Sequence, residues 1–133
     1  MPDVIEDPVT GERIEFISTA QDAGVLTMRL QVRAGGGLLR PHVHPAQEER
    51  IAVVLGVFAF EFTGTPKRLL HAGDELLIPP GVEHIWSNPT DADAVALVEL
   101  RPPLDSEAVF RLLFRRDAER ARKSRPSREC AND

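Results

Sequence analysis

The apolar residues of this chain recur at every second position over most of its length, and this period constrains the fold more than any other feature. From Thr27 to Arg33 the alternation is strict, with Met28, Leu30 and Val32 on one face. Successive side chains of an extended strand point to opposite faces, so this period predicts half-buried β-strands. Glycine and proline clusters separate the apolar segments at short intervals. The pattern therefore predicts an all-β fold, an antiparallel sandwich or barrel.

One segment near the C-terminus departs from this period. After the two prolines that end the last strand, Val109, Leu112 and Leu113 recur at helical spacing, joined by Phe110 and Phe114. This pattern predicts one amphipathic C-terminal α-helix. The segment beyond the helix is basic and lacks apolar periodicity, so we expect a solvated tail. The predicted parts are an N-terminal strand or arm (1–23), a barrel (24–104), the helix (105–123) and a flexible tail (124–133).

Length and composition exclude several classes of protein. A chain of 133 residues suits a single domain with its own core. The net charge of −5 argues against nucleic-acid binding, and the single cysteine, Cys130, excludes an intrachain disulfide. The chain has no apolar stretch of membrane-spanning length, and its acidic beginning does not resemble a secretion signal. We therefore expect a cytoplasmic protein that binds neither nucleic acid nor membrane.

The four histidines are the main candidates for chemistry. His42 and His44 are separated by one residue, so on a strand both imidazoles lie on one face. Glu49 follows near the start of an apolar strand, and His84 comes after a rigid Pro-Pro-Gly corner. Imidazole and carboxylate groups bind first-row divalent metals, although these ligands leave Mn, Fe, Co, Ni, Cu and Zn all open. A histidine pair alone equally suits a polar surface strand, and we expect His71 to be an ordinary, partly exposed histidine.

The residues around these histidines follow two spacing patterns. The first is Gly36, His42, His44, Glu49, Gly56, and the second is Gly73, Pro79, Pro80, Gly81, His84, Asn88. Both closely resemble the signature motifs of the cupin superfamily, and segments 7–16 and 42–50 resemble its small single-domain members, labelled cupin-2 or quercetin-dioxygenase-like. The resemblance implies a jelly-roll barrel, usually a homodimer, with one divalent transition metal at its mouth. At Gly36 and Gly73 we expect turns, where glycine tolerates a positive φ.

The resemblance also assigns roles to particular residues. It implies that His42, His44, Glu49 and His84 bind the metal and that Glu49 also acts as a catalytic base. Arg40 shares strand parity with the first two histidines, so it is either an anion-binding residue of the pocket or a surface arginine. Trp86 shares parity with His84 and forms either a pocket wall or part of the core. Gln47 is a candidate for hydrogen bonding to a metal ligand.

Three functions are compatible with such a site. We favour a metal-dependent, dioxygenase-like enzyme acting on a small chelating substrate such as an enol, phenol or diketone. The alternatives are a metal-dependent sugar isomerase or epimerase and a non-catalytic module that binds or senses a small molecule. In each case we expect the C-terminal helix to dock on the barrel or across a dimer, remote from the metal.

Overall fold

The computed structural model describes residues 3–19 and 24–124. Its strands are β1 (Val4–Asp7), β2 (Glu12–Ser18), β3 (Leu26–Val32), β4 (Gly37–His42), β5 (Glu48–Leu55), β6 (Val57–Phe62), β7 (Arg68–His71), β8 (Glu75–Ile78), β9 (His84–Ser87) and β10 (Ala94–Arg101). The helix α1 (Ser106–Ser124) follows them. The flexible tail predicted over 124–133 lies outside the described residues, apart from the last residue of this helix.

The strands form two antiparallel sheets. The larger sheet has the order β1-β2-β3-β10-β5-β8, and the smaller has the order β4-β9-β6-β7. Several strands that are neighbours in a sheet are distant in sequence, as in the pairing of β10 with both β3 and β5. The predicted all-β, antiparallel architecture with one C-terminal helix is confirmed.

The core follows from the alternation of apolar residues. In β3 the side chains of Leu26, Met28, Leu30 and Val32 are buried, whereas the residues between them are partly exposed. Buried residues of both sheets join in one apolar cluster, to which the helix adds Phe114. Burial of a large apolar side chain contributes about 1.5–3 kcal/mol, so the inner faces of the two sheets hold the barrel together.

The two glycines expected at turns are required for different reasons. Gly73 has a φ of +94°, a conformation that favours glycine. Gly36 does not have a positive φ of this kind, but a Cβ atom there would lie 2.5 Å from the carbonyl oxygen of Thr10. Close approach of two backbone segments therefore explains Gly36, so the expected explanation holds for Gly73 alone.

Helix α1 packs through only part of the apolar set that its sequence marked. Phe114 is 5% exposed and Phe110 packs against the core, whereas Leu112 and its apolar neighbours remain substantially exposed. Arg111 lies over the ring of Phe16, 4.6 Å from its centroid, and also pairs with Asp3 of the N-terminal segment. These contacts hold the helix against β1 and β2. No helix in the described part of the chain has the length and apolar character to cross a membrane.

Candidate metal centre and its cavity

Strand pairing brings together three histidines that are far apart in the sequence. His42 ends β4, His84 begins β9, and the two residues are direct partners across these strands. His44 lies just beyond the end of β4. Among the described residues these three offer ligand atoms that all lie within 4.8 Å of one another. His71 is in β7, largely exposed and 4.0 Å from Asp74, in agreement with its expected ordinary role.

His84 presents an unpaired nitrogen to this cluster. Its Nδ1 atom is 3.0 Å from the carbonyl oxygen of Val82, and since a carbonyl only accepts hydrogen bonds, Nδ1 carries the proton. The lone pair then resides on Nε2, which is buried and has no hydrogen-bond partner. The residue is only 2% exposed. A buried acceptor without a partner is costly, so the donor set fits a metal cation.

His42 is also suited to act as a neutral ligand. Burial lowers its pKa, and the nearby His84 ring lowers it further. The ring centroids of these two histidines are 4.1 Å apart. A lowered pKa keeps the imidazole neutral at physiological pH, and a metal binds the neutral form.

Glu49 lies against one histidine rather than at the centre of all three. Its Oε2 atom is 3.0 Å from Nε2 of His44, and this hydrogen bond raises the pKa of the His44 imidazole. Glu49 is buried. Its carboxylate is not among the ligand groups that all lie within 4.8 Å of one another, which are the three histidine rings. Of the four expected ligands, the structure therefore clusters the three histidines and places the Glu49 carboxylate beside them.

Gln47 connects this cluster to the start of helix α1. Its side chain hydrogen-bonds His44, and its Nε2 atom donates to the carbonyl oxygens of Pro102 (2.8 Å) and Pro103 (2.9 Å). The same nitrogen lies 2.9 Å from Oγ of Ser106, the first residue of the helix. Hydrogen bonding by Gln47 was expected from the sequence, but its partners in the helix were not.

A cavity of about 320 Å³ opens from the histidines into the barrel. Trp86 forms part of its wall and is buried, so the residue is both pocket wall and core. Arg40 also lines the cavity, and the residue is exposed. The helix contributes Phe110 and Phe114 to the same wall, which overturns the expectation of a helix remote from the metal site.

Sequence reasoning missed a group of carboxyl side chains in this cavity, Asp7, Glu12 and Asp117. Burial and a hydrogen bond to Asp117 raise the pKa of Asp7 to about 6. Burial raises the pKa of Glu12 to about 7. Glu12 shares strand parity with Ile14 and Phe16, so its inward direction was readable from the alternation in β2.

Comparison with known proteins places these features in a family. A family model described as "Cupin domain" matches residues 28–99. Germin-like protein subfamily 2 member 3 of Arabidopsis thaliana is 33% identical over 93 residues, which make up 67% of this chain and 42% of that protein. The chain thus spans less than half the length of this curated relative.

Solved structures show the same fold. KdgF from Halomonas sp. matches with a TM-score of 0.66 and 22% identity, covering 79% of this chain and 92% of that chain. A recombinant oxalate oxidase in complex with glycolate matches with a TM-score of 0.59 and 24% identity, covering 71% of this chain and 52% of that chain. At these identities the comparison establishes the shared barrel fold.

Proposed function

This chain belongs to the cupin family, and from that premise we propose that it is a metal-dependent, dioxygenase-like enzyme acting on a small chelating organic substrate, with molecular oxygen as co-substrate. The observation that carries the proposal is the buried, unpaired Nε2 atom of His84 beside His42 and His44, next to a mainly apolar cavity. Pockets of this size and character bind small molecules.

The proposed ligands are His42, His44 and His84, with Glu49 as the adjoining carboxylate. A divalent ion bound there would polarise the oxygen atoms that chelate it. Glu49 is the carboxylate in contact with this cluster, 3.0 Å from His44, and we assign it as the base that accepts a proton from a substrate hydroxyl. Trp86 and its apolar neighbours exclude water from the substrate, and Arg40 is positioned to bind an anionic group on it.

Metal analysis of matched variants tests the centre. The wild-type protein should bind one equivalent of divalent metal, and His84→Ala should lose most of it, because the variant lacks the unpaired nitrogen. His71→Ala is the control, since it removes an exposed imidazole outside the cluster. Elemental analysis after dialysis measures both. Full retention of metal by His84→Ala would contradict the assignment.

Oxygen uptake tests the reaction. The iron, manganese, nickel and cobalt forms should be supplied with flavonols and β-diketones, and at least one pair should consume oxygen. Glu49→Gln should abolish uptake, since an amide cannot accept the proton. Tight substrate binding without turnover in every metal form would instead favour a binding or sensing module.

We also propose that the protein is a homodimer. The outer face of the larger sheet carries exposed apolar residues, including Val54, Leu77 and Leu97. Among residues 3–19 and 24–124, the outermost strands β1 and β8 each have one edge without a strand partner in that sheet. Sheet edges and apolar faces are commonly covered by a second copy. Light scattering at micromolar concentration should report twice the chain mass of 14.7 kDa, and a monomer mass would refute the proposal.

A further inference from the structure

Glu12 is a carboxyl side chain on the inner, apolar face of the larger sheet. Along β2 it shares parity with Ile14 and Phe16, which are buried, whereas Arg13 and Glu15 lie on the opposite face. Glu12 lines the same cavity as the histidines. Placing a carboxyl group among apolar side chains costs free energy unless a polar partner compensates it. Its position therefore calls for a polar function within the cavity.

The cavity extends along the strands from Glu49 to Glu12. Glu12 pairs with Val32, the last residue of β3. Glu49 pairs with Leu100, and Leu100 pairs with Leu26, the first residue of β3. The two carboxyl side chains thus start from opposite ends of the strands although both line one cavity. An elongated ligand with a polar group at each end can contact both regions, which are close enough for the charge of Glu49 to act on Glu12.

The wall between these regions is apolar. On the larger sheet it includes Met28 and Leu30, and on the smaller sheet Phe58, Phe60 and Trp86. Three of these side chains are aromatic, which suits a flat or aromatic ligand body. A two-carbon dicarboxylate would leave most of a 320 Å³ cavity unfilled. The shape and lining of the cavity therefore favour a larger, largely apolar substrate.

The surroundings of Glu12 favour a neutral hydrogen-bonding group over an anion. Burial, the largest cause, and the nearby carboxyls of Asp7, Asp117 and Glu49 together raise its pKa to about 7, although the Thr10 hydrogen bond acts in the opposite direction. The Thr10 hydroxyl hydrogen-bonds Glu12, but a carboxyl group has about four lone-pair sites and keeps capacity for a ligand. A partly protonated carboxyl both accepts and donates a hydrogen bond, as a hydroxyl group does.

The basic residues of the cavity are placed differently. Arg116 and Arg120 of the helix line the cavity but are exposed, as is Arg40 on β4. Exposed guanidinium groups are hydrated and screened, so they compete weakly for a group held deep inside. The buried polar residues beside Glu12 are Asp7, 3% exposed, and Thr10, 9% exposed, and neither carries a positive charge.

We propose that Glu12 binds a hydroxyl group of an elongated, apolar substrate whose other end carries the chelating oxygens held at the histidine cluster. This inference rests on the proposed function, because it assumes that the histidines hold a metal. The inference adds a second polar contact, made by Glu12. Through this contact the protein would select among chelating molecules by whether the end far from the metal carries a hydroxyl group.

A matched pair of rigid chelators tests the inference. The probes are 3-hydroxyflavone and 3,4′-dihydroxyflavone, which share the chelating end and differ by one hydroxyl at the far end. The Zn²⁺-loaded protein should bind the dihydroxy compound about tenfold more tightly, as expected for one added hydrogen bond. Fluorescence titration at pH 7 measures both dissociation constants.

Variants of two glutamates on β2 assign the preference to Glu12. Glu12→Leu should bind both probes equally, with the dissociation constant of 3-hydroxyflavone changed less than about twofold. Glu12→Gln should keep most of the preference, because an amide also donates and accepts hydrogen bonds. Glu15→Leu is the matched control, since Glu15 lies on the opposite face of the same strand, and it should keep the wild-type preference.

Two results would overturn the assignment of Glu12. One is equal affinity of the wild-type protein for both probes, and the other is an undiminished preference in Glu12→Leu. Failure of the proposed function has a separate readout, because the bound zinc is measured independently of the probes. A wild-type protein that binds no zinc overturns both proposals, whereas a zinc-loaded protein without the preference overturns only the role of Glu12.

Discussion

Replacing Asp7 by asparagine should stabilise the protein at neutral pH and have much less effect at pH 4. Asp7 is buried between β1 and helix α1, where its Oδ1 atom accepts hydrogen bonds from the backbone of Val9 (2.8 Å) and Thr10 (3.2 Å). Its carboxyl group also hydrogen-bonds Asp117. Asparagine keeps the accepting oxygen and supplies a donor towards Asp117, so Asp7→Asn imitates the protonated acid at every pH.

The size of the effect follows from the pKa of Asp7. Burial is the largest cause, and together with the hydrogen bond to Asp117 it raises this pKa from 3.8 to about 6. Below pH 4 the folded and unfolded states are both protonated, and the stabilising contribution of the protonated acid is fully present. As pH rises from 4 to 6, the unfolded chain releases its proton first, so the free energy of unfolding falls. A shift of about two units corresponds to roughly 3 kcal/mol, lost once pH exceeds the folded-state pKa.

The assay compares unfolding free energies at pH 4, 5, 6 and 7. Urea titrations of metal-free protein can be followed through Trp86, the single tryptophan of the chain, which is buried in the barrel. The advantage of Asp7→Asn over wild type should grow by about 2–3 kcal/mol between pH 4 and pH 7. Removing the Asp7 charge also lowers the pKa of Glu12, which adds to the gain in the same direction.

The control is Asp91→Asn, which changes the net charge equally at an exposed position. Its difference from wild type should stay within about 0.5 kcal/mol throughout. An advantage of Asp7→Asn that does not change between pH 4 and pH 7 would refute the reasoning. It would show that Asp7 titrates in the folded protein as it does in the unfolded chain.

Three further predictions concern the helix and its attachment. Phe114→Ala should lower the free energy of unfolding by about 3–5 kcal/mol in urea titrations. Leu112→Ala, at a residue that is 44% exposed, should lower it by less than about 1 kcal/mol. Similar losses in the two variants would mean that the helix packs through another face. Gln47→Leu should lower the free energy of unfolding by about 2–3 kcal/mol, because it leaves buried carbonyl and hydroxyl groups unpaired. Limited proteolysis should cut within α1 sooner in this variant than in the control Glu48→Leu. Equal cutting rates in the two variants would argue against attachment of the helix through Gln47. Removal of residues 104–133 should lower Tm sharply and removal of 124–133 should leave it unchanged; equal effects would show that the terminal segment contributes to stability.

Local sequence patterns predicted the all-β character of the chain and, in β3, the direction of the side chains, whereas in β6 Ala59 is buried beside Phe58 and Phe60, against the expected alternation. In β3 the buried residues are the ones that the alternation marked, because side-chain direction in a strand depends on position alone. The proximity of His42 and His44 was expected from the same rule, but His44 lies just beyond the end of β4, so the rule does not account for their ring centroids being 5.7 Å apart. The contact of His84 with them depends on the pairing of β4 with β9, and it was expected from the resemblance to known motifs rather than from local physics.

The existence of the helix could be predicted from local sequence, but the residues through which it packs could not. Helical spacing of apolar residues predicted a helix over 105–123, and α1 spans Ser106–Ser124. The apolar set predicted for the packed face was Val109, Leu112 and Leu113, joined by Phe110 and Phe114, yet of these five only Phe114 is buried. The face that packs depends on the surface that it meets, here β1, β2 and the cavity wall, and a local period carries no information about that surface.

The sequence by itself determined which segments form strands, which segment forms a helix and which side chains of a strand share a face, because these properties follow from the nearest residues along the chain. Only the tertiary structure decided that Asp7, Glu12 and Asp117 meet, since they come from β1, β2 and α1. It also decided that helix α1 and the histidines line one cavity. Burial and pKa depend on all neighbouring groups in space, so the carboxyl groups of Asp7 and Glu12, which appear ordinary in the sequence, become weaker acids where three elements converge.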